Sequence, residues 1–510
     1  MKYIPEPLNE KISELTAVVR ESSVKRLIVL LVIIWLLLYI PTSLYLSSSQ
    51  KDQHFDYYPS EAGPEGITSK SYGVVTEPIP LEDASRYRFL LDVDEGEVVV
   101  FNWTAEDYSS SKHLGRVNVY YEMNGEEDKI RLRKTVKEEG FVTWYAEKKF
   151  CRNGTISYYY RADKNDIAKF HQRASVILEG GNLYEDIQTG PPPLINFLMI
   201  PPTLLTPPVR MGGAYLSFQI YFSLFTLFDA LILFFTFKDR DKTGAFFAGI
   251  LFLANPVTLS NIHQDEAVVA FMILLPVFFM LKNREKLSTI LTGSSVPVKV
   301  WGVFLYPLYL IRKDKDLKKG FMDIFTALAV TVSIFLFFYL LWGEKSVWFL
   351  SQYSGQTNTL NMGPVSFWGR WFTAFPLLAD MISRKMILAL VGISELIIFF
   401  TAYKKGWSKV ASLTAFLSIF FALYLKIHWD YFIILFPFMA WFAVRDKRFF
   451  GLYLALTIVL EISMIMASPW ITIGDIGMAL LTSLVTIILF FNVFLLYRSP
   501  SLSDISNDDL

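Results

Sequence analysis

Apolar runs long enough to cross a bilayer recur through this chain, and they constrain its fold more than any other feature. About 30 Å of hydrocarbon is crossed by roughly 17–25 helical residues. Runs of that kind lie near 27–47, 212–237, 244–260, 265–281, 321–342, 385–403, 408–426, 431–445, 449–467 and 478–497. A shorter, broken pair at 287–296 and 297–311 reads as re-entrant rather than as two full spans. The chain is 53% hydrophobic with a mean hydropathy of +0.36, averaged over a long polar segment as well. The fold class expected is an all-α polytopic membrane protein with about ten spans plus a re-entrant helix pair, carrying an inserted external all-β domain.

Net charge is zero, so the total names no partner, and none of the nucleic-acid kind is expected. The distribution says more. Basic clusters sit at Lys25-Arg26, Lys238/Arg240/Lys242, Lys282/Arg284/Lys286, Arg312/Lys313/Lys315/Lys318/Lys319, Lys404/Lys405/Lys409 and Arg445/Lys447/Arg448. With the spans above, all fall on one side, which the positive-inside rule makes cytoplasmic. Both termini are then cytoplasmic, and the chain is expected in the cell membrane. The first run has no small-residue cleavage site after it and reads as a retained helix, not a signal peptide. The single cysteine, Cys151, excludes an internal disulfide and has no metal-ligand spacing.

The expected organisation is a cytoplasmic segment 1–26, a first membrane helix 27–47, an external β-domain 51–160, a membrane domain 161–498 and a cytoplasmic tail 499–510. Within 51–160, Arg86 to Leu91 and Glu97 to Trp103 flank Asp94-Glu95-Gly96, which predicts a hairpin. Val117, Val119 and Tyr121 alternate with polar residues before Asn124-Gly125, and Ile130/Leu132, Phe141 to Tyr145 and Ile156/Tyr158/Tyr160 continue that period of two. A small antiparallel sandwich is expected. Asn102-Trp103-Thr104 and Asn153-Gly154-Thr155 are glycosylation acceptor triplets on it.

Polar and aromatic residues gather in the loops expected outside, while the cytoplasmic loops are merely basic. The external set comprises Asp163 and Asp166; Asn255-Pro256 with His263-Gln264-Asp265-Glu266; Gln352, Tyr353, Gln356, Asn358, Asn361 and Ser366-Phe367-Trp368 with Arg370; and Lys426, His428, Asp430 and Tyr431. A carboxylate there can serve as general base toward a hydroxyl nucleophile. From spacing alone Asp166 reads equally as such a base and as an interfacial helix cap, and Asp163 as a turn residue. Lys299, inside the broken pair, either anchors an anionic lipid phosphate or snorkels to the cytoplasmic surface. Arg370 is the better candidate for a phosphate outside, its alternative being a solvated loop charge. His428 reads as a substrate hydrogen-bonder or a structural interfacial histidine. The residues name no cofactor for certain, and a divalent metal at His263, Asp265 and Glu266 stays open.

The run Asp166-(x)3-Phe170-His171-(x)8-Gly180-Gly181-Asn182-Leu183-Tyr184, then Gly190-Pro191-Pro192-Pro193-Leu194, resembles the first external loop of GT-C type glycosyltransferases. The group most similar is the polyprenyl-phosphate-mannose-dependent mannosyltransferases, including the GPI-type enzymes. Leu183 replaces the family's usual Pro, and Gly190 stands where Tyr is common. Later segments agree in order: Asn255-Pro256 with His263-Gln264-Asp265, Lys299 with Pro307, Asn361-(x)4-Ser366, and His428-(x)2-Tyr431-(x)5-Pro437. The resemblance covers about residues 161–445. It implies Asp166 as the base and Lys299, Arg370, His428, Tyr431, Gln264, Asp265 and Tyr184 as substrate-binding residues. The implied activity is a hexosyltransferase, moving mannose from a polyprenyl-phosphate carrier to a glycan, lipid or protein hydroxyl. The β-domain between the first helix and Asp166 departs from the family pattern. Rivals are a multi-span transporter or flippase, disfavoured because no two-fold repeat is evident, and a binding protein whose β-domain does the work.

Overall fold

The computed structural model describes residues 6–49, 69–71, 74–75, 89–106, 116–123, 126–132, 134–138, 141–163, 166–186, 191–206, 212–312, 314–347, 363–467 and 474–499. Gln352, Tyr353, Gln356, Asn358, Asn361, Gly190 and Asn124-Gly125 lie outside the described residues, as does the tail from Pro500 onward. Two compact units are present. A helical unit comprises Met1–Ser43, Thr189–Ile195 and Gln219–Leu510, and a mixed unit comprises Leu44–Gln188 and Asn196–Phe218.

The longer helices are α1 (Glu6–Glu21), α2 (Val24–Ser49), α3 (Asp166–Leu178), α4 (Gly212–Leu253), α5 (Glu266–Leu281), α6 (Glu285–Ser295), α7 (Leu317–Trp342), α8 (Arg384–Lys405), α9 (Lys409–Leu423), α10 (Phe432–Ala443), α11 (Lys447–Met466) and α12 (Gly474–Arg498). Among the described residues six of these are long and apolar enough to cross a membrane: α2, α4, α7, α8, α11 and α12. The faces they leave open are apolar. Phe325 and Leu340 of α7 and Ile393 and Ile397 of α8 are each more than half exposed. A row of large exposed apolar side chains is stable only against lipid, so the chain is a multi-pass membrane protein. Helices α9 and α10 are short and differ in kind. Every residue of α10 is buried, as expected of a helix apolar on all sides, which belongs at the centre of a bundle.

The runs expected at 212–237 and 244–260 are two helical segments, carried here under the one label α4 and separated by a kink at Asp241 (φ −148°, ψ 87°). Asp241 Oδ1 accepts from the Gly244 amide at 2.8 Å and so caps the second segment. That segment stops at Leu253, because Asn255 caps a new short helix, Pro256–Ser260. The basic clusters are tied together around this break. Lys242 donates to the Arg20 and Ser22 carbonyls, and Lys282 pairs with Asp239 at 2.7 Å. Arg312 bridges Glu285, Asp314 and Asp323, and its guanidinium holds the Asp314 carboxyl down to about 2.

In the mixed unit, the strands among the described residues form two antiparallel sheets. They are β1 (Ser69–Ser71), β2 (Val74–Val75), β3 (Phe89–Val93), β4 (Val98–Glu106), β5 (Arg116–Met123), β6 (Glu126–Leu132), β7 (Lys134–Glu138), β8 (Phe141–Lys149) and β9 (Gly154–Asp163). The orders are β2-β1-β4-β8-β7 and β3-β9-β5-β6. Alternate residues of both sheets share one core: Val99 and Phe101 from β4 meet Val119, Ile130, Ile156 and Tyr158, with Phe101 edge-on to Tyr158 at 5.4 Å. Two expectations are corrected here. Asp94-Glu95-Gly96 is not a hairpin, since β3 pairs with β9 and β4 with β8. It is a corner between sheets, where Gly96 (φ 88°) donates to the Phe150 carbonyl, and Asn153 accepts from the Glu95 amide at the neighbouring corner. Asp163 is not a turn residue but the last residue of β9, opposite Arg116. The β5 partner continues that far, so the ladder does too.

Candidate active site

The centre of the candidate site is Lys299. Helix α6 ends at Ser295, and Pro297 cannot supply the amide that would prolong it. The chain turns there, with the Val298 and Lys299 amides both donating to the Ser295 carbonyl at 3.1 Å. Lys299 is extended (φ −158°, ψ 142°) and heads a 3-10 helix, Val300–Tyr309. Gly302 lies so close to Ser295 that a Cβ would collide with it, which keeps the turn tight. The expected broken pair is therefore an α-helix and a 3-10 helix, with Lys299 at the joint.

That joint aims the ammonium at the start of α5. Asp265 occupies the N-cap position but makes no side-chain cap bond, so its carboxylate is available, and Lys299 Nζ donates to Oδ1 at 3.0 Å. Glu266, in the first turn, takes a second hydrogen bond from the same ammonium. Lys299 also sits 5.5 Å from the centre of the Tyr431 ring, within cation–π reach. Tyr431 is packed between Trp301 at 5.0 Å and His428 at 5.4 Å. Asp430 interacts electrostatically with Glu266, so acidic groups outnumber the one ammonium. Glu266 Oε2 is buried with no hydrogen-bond partner.

The geometry places several of the expected residues. Lys299 does not snorkel: it is turned into the bundle, because two buried carboxylates hold it. The cation between Asp265 and Glu266 is that ammonium. Among the described residues no group of three His, Cys, Asp or Glu gathers as a metal site. Asn255 caps Val257 through Oδ1 and donates to Tyr453 and Thr457 through Nδ2, so the Asn-Pro pair is a structural joint. Gln264 is half-buried beside Asp265, its amide donating to the Asn261 carbonyl at 3.1 Å. Arg370 is not a solvated loop charge. It lies half-buried in the helix Phe367–Ala374, its Nε donating to the Pro364 carbonyl at 2.8 Å and Asp475 attracting it. Ser366 caps that helix.

The proline segment reaches the same region of the helical unit. The Leu194 amide donates to the Pro297 carbonyl at 3.1 Å, two residues before Lys299. Leu194 also lines an apolar groove of about 550 Å³ along α7, with Val330, Ile334 and Phe337.

In the mixed unit, Asp166 is the first residue of α3 and half-buried. Four and five residues on, Phe170 and His171 each stand 6.4 Å from the Phe218 ring. Burial pushes the His171 imidazole down to about 4, and Ser175 lies 3.5 Å from its Nδ1. Tyr184 is buried, its amide bonded to Asn182 Oδ1.

Sequence reasoning gave Glu266 only as a metal ligand and Asp430 only as a loop residue. It passed over Asp229 and Glu395. The last two carried a readable signal, a carboxylate inside an apolar run.

No protein-family profile matches this chain, and no curated protein matches it. Among solved structures it is similar to ArnT from Cupriavidus metallidurans, whose crystal structure is bound to undecaprenyl phosphate. The identity is 13% and the TM-score 0.39, over 68% of this chain and 73% of that one.

Proposed function

We propose that the chain is a membrane glycosyltransferase that moves a hexose, mannose by the family resemblance, from a polyprenyl-phosphate carrier to an acceptor hydroxyl on the external face. One observation carries the reading. Segments singled out in the sequence, around Leu194, Asp265, Lys299 and Tyr431, gather in one place although more than two hundred positions separate the first from the last.

In this reading Asp166 accepts the acceptor's proton as its oxygen attacks the anomeric carbon. The bond from that carbon to the phosphate oxygen breaks, and polyprenyl phosphate leaves. Asp265 and the unpartnered Glu266 Oε2 accept hydrogen bonds from sugar hydroxyls, while Tyr431 offers a ring face. Lys299 fixes the two carboxylates. Binding phosphate with it would mean breaking a buried ion pair, which is strongly unfavourable, so Arg370 and His428 are the better phosphate ligands. The groove along α7 would take the isoprenoid chain. The test is transfer of labelled sugar by the purified chain in nanodiscs, offered a panel of polyprenyl-phosphate sugars and acceptor extracts. Label should leave one donor only. Lipid-linked sugar crossing the bilayer without transfer would mean a flippase instead.

A further inference from the structure

Helix α8 buries one stripe, Val391, Ile398 and Ala402, and turns large apolar residues outward. Glu395 falls on the buried stripe, four residues after Val391 and three before Ile398. At 1.5 Å per residue it lies about 16 Å along the axis from Arg384 and about 15 Å from Lys405, at the middle of the span. Its Oε1 is buried with no hydrogen-bond partner, and no described charged group acts on it.

Glu395 is one of the residues lining a cavity of about 430 Å³, together with Phe304, Tyr306 and Pro307 of the 3-10 helix, Phe399 of α8 and Phe416 of α9. Gly392, one turn before Glu395, has nothing within 4 Å of where a Cβ would stand. Val303 and Leu396 on the same wall are more than half exposed, so the cavity opens sideways toward lipid. Its other polar lining group, the Tyr306 hydroxyl, is already bonded to Thr331 at 2.7 Å. Volume, apolar lining and one convergent polar group are the marks of a small-molecule site. An isolated carboxylate is expensive in such surroundings, whereas a carboxyl that finds a cation there is compensated.

We propose that this cavity is a second ligand site, separate from the Lys299 cluster, which takes from the bilayer a compact apolar molecule bearing one amino group. The carboxyl proton passes to the amine nitrogen on binding, and the resulting ammonium stays hydrogen-bonded to the Glu395 carboxylate. Such a charge-assisted bond is about twice as strong as a neutral one, which selects an amine over the alcohol of equal shape.

The test uses the full chain in nanodiscs and dicyclohexylcarbodiimide, an apolar reagent for carboxylic acids. The acid O–H adds across one C=N bond: oxygen bonds to carbon, the proton goes to nitrogen, and nothing leaves. Peptide mass spectrometry should find the adduct on Glu395 and lose it in Glu395→Gln. Gly392→Leu, which keeps the carboxyl and fills open space, should cut labelling at least about tenfold. 1-Aminoadamantane should protect Glu395 at a concentration at least about fivefold below that of 1-adamantanol. Equal protection by the alcohol, undiminished labelling in folded Gly392→Leu, or an unlabelled Glu395 in the unmodified chain would each overturn the proposal. Sugar transfer is not read in this assay, so its outcome is independent of the proposed activity.

Discussion

Lys299 and Asp265, 34 positions apart, are joined by an ion pair of 3.0 Å, and both stand at the head of a helix. One contact thereby fixes the start of α5 against the start of the 3-10 helix. Glu266 shares the same ammonium, and its side chain is only 1% exposed, so solvent cannot replace the lysine if it is removed.

Lys299→Met should therefore destabilise the chain by about 3–5 kcal/mol, the usual consequence of leaving one side of a buried pair. Neutralising the partners as well, in Lys299→Met/Asp265→Asn/Glu266→Gln, should recover most of the loss. Thermal unfolding in nanodiscs reads both. A single variant as stable as the unmodified chain would show that the pair carries little weight.

Asp166→Asn is nearly isosteric and keeps a residue suited to a helix start. It should reduce transfer about 100- to 10,000-fold, the range for loss of a general base, with unfolding unchanged. Asp163→Asn, at the end of β9, should retain most activity. The reverse pattern would move the base to Asp163 and break the match to the family loop.

His171 gives a pH dependence with a definite sign. Its pKa is about 4 in the native state against 6.5 in the unfolded chain. The unfolded chain therefore takes up a proton first as pH falls, and native stability is lost progressively between about pH 6.5 and 4. Above about 6.5 the group contributes no slope. His171→Phe should flatten that part of a melting-temperature profile recorded from pH 4 to 7.5, and an unchanged slope would exclude His171 as its source.

How much of this was legible follows from what each signal measures. Hydropathy reports local desolvation, so the run near 385–403 returned as Arg384–Lys405 and that near 321–342 as Leu317–Trp342. It does not distinguish a helix facing lipid from one wholly inside, so the run near 431–445, expected as a span, is the 12-residue, fully buried α10. Turn chemistry marks where the chain reverses but not which sheet receives it, so Asp94-Glu95-Gly96 joins two sheets rather than two neighbours. Asp265, Lys299 and Tyr431 were each visible as parts of motifs. The partner of Lys299 was not, because an ion pair across 34 positions leaves no periodicity or spacing to read.

Sidedness rests on the basic clusters, which Asp239 and Glu285 tie together. In a Cys151→Ser background, a cysteine placed at Asp166 should react with an impermeant thiol reagent added outside intact cells. One placed at Asp314, which is exposed, should react only after permeabilisation. Labelling of the Asp314 position alone in intact cells would invert the topology and move the proposed chemistry to the cytoplasm.

The sandwich offers the last test. Val99, Phe101, Val119, Ile156 and Tyr158 form a core of its own, so the sheets can be removed as a body. Strand β9 runs to Asp163 and pairs with both β3 and β5. A cut at 155 would leave it as an unpaired edge prone to aggregation, so the excision should run from 69 to 162. The acids of the sandwich are scattered over turns and ladders; Asp92 is engaged by Thr155 and Asp128 by Tyr121. Such an arrangement suits acceptor choice rather than proton transfer. Replacing 69–162 with a short flexible linker should lower transfer to the native acceptor while leaving donor-lipid binding unchanged, measured by competition with labelled polyprenyl phosphate. Loss of donor binding in a chain that still folds would tie the sandwich to the donor and refute that division of labour.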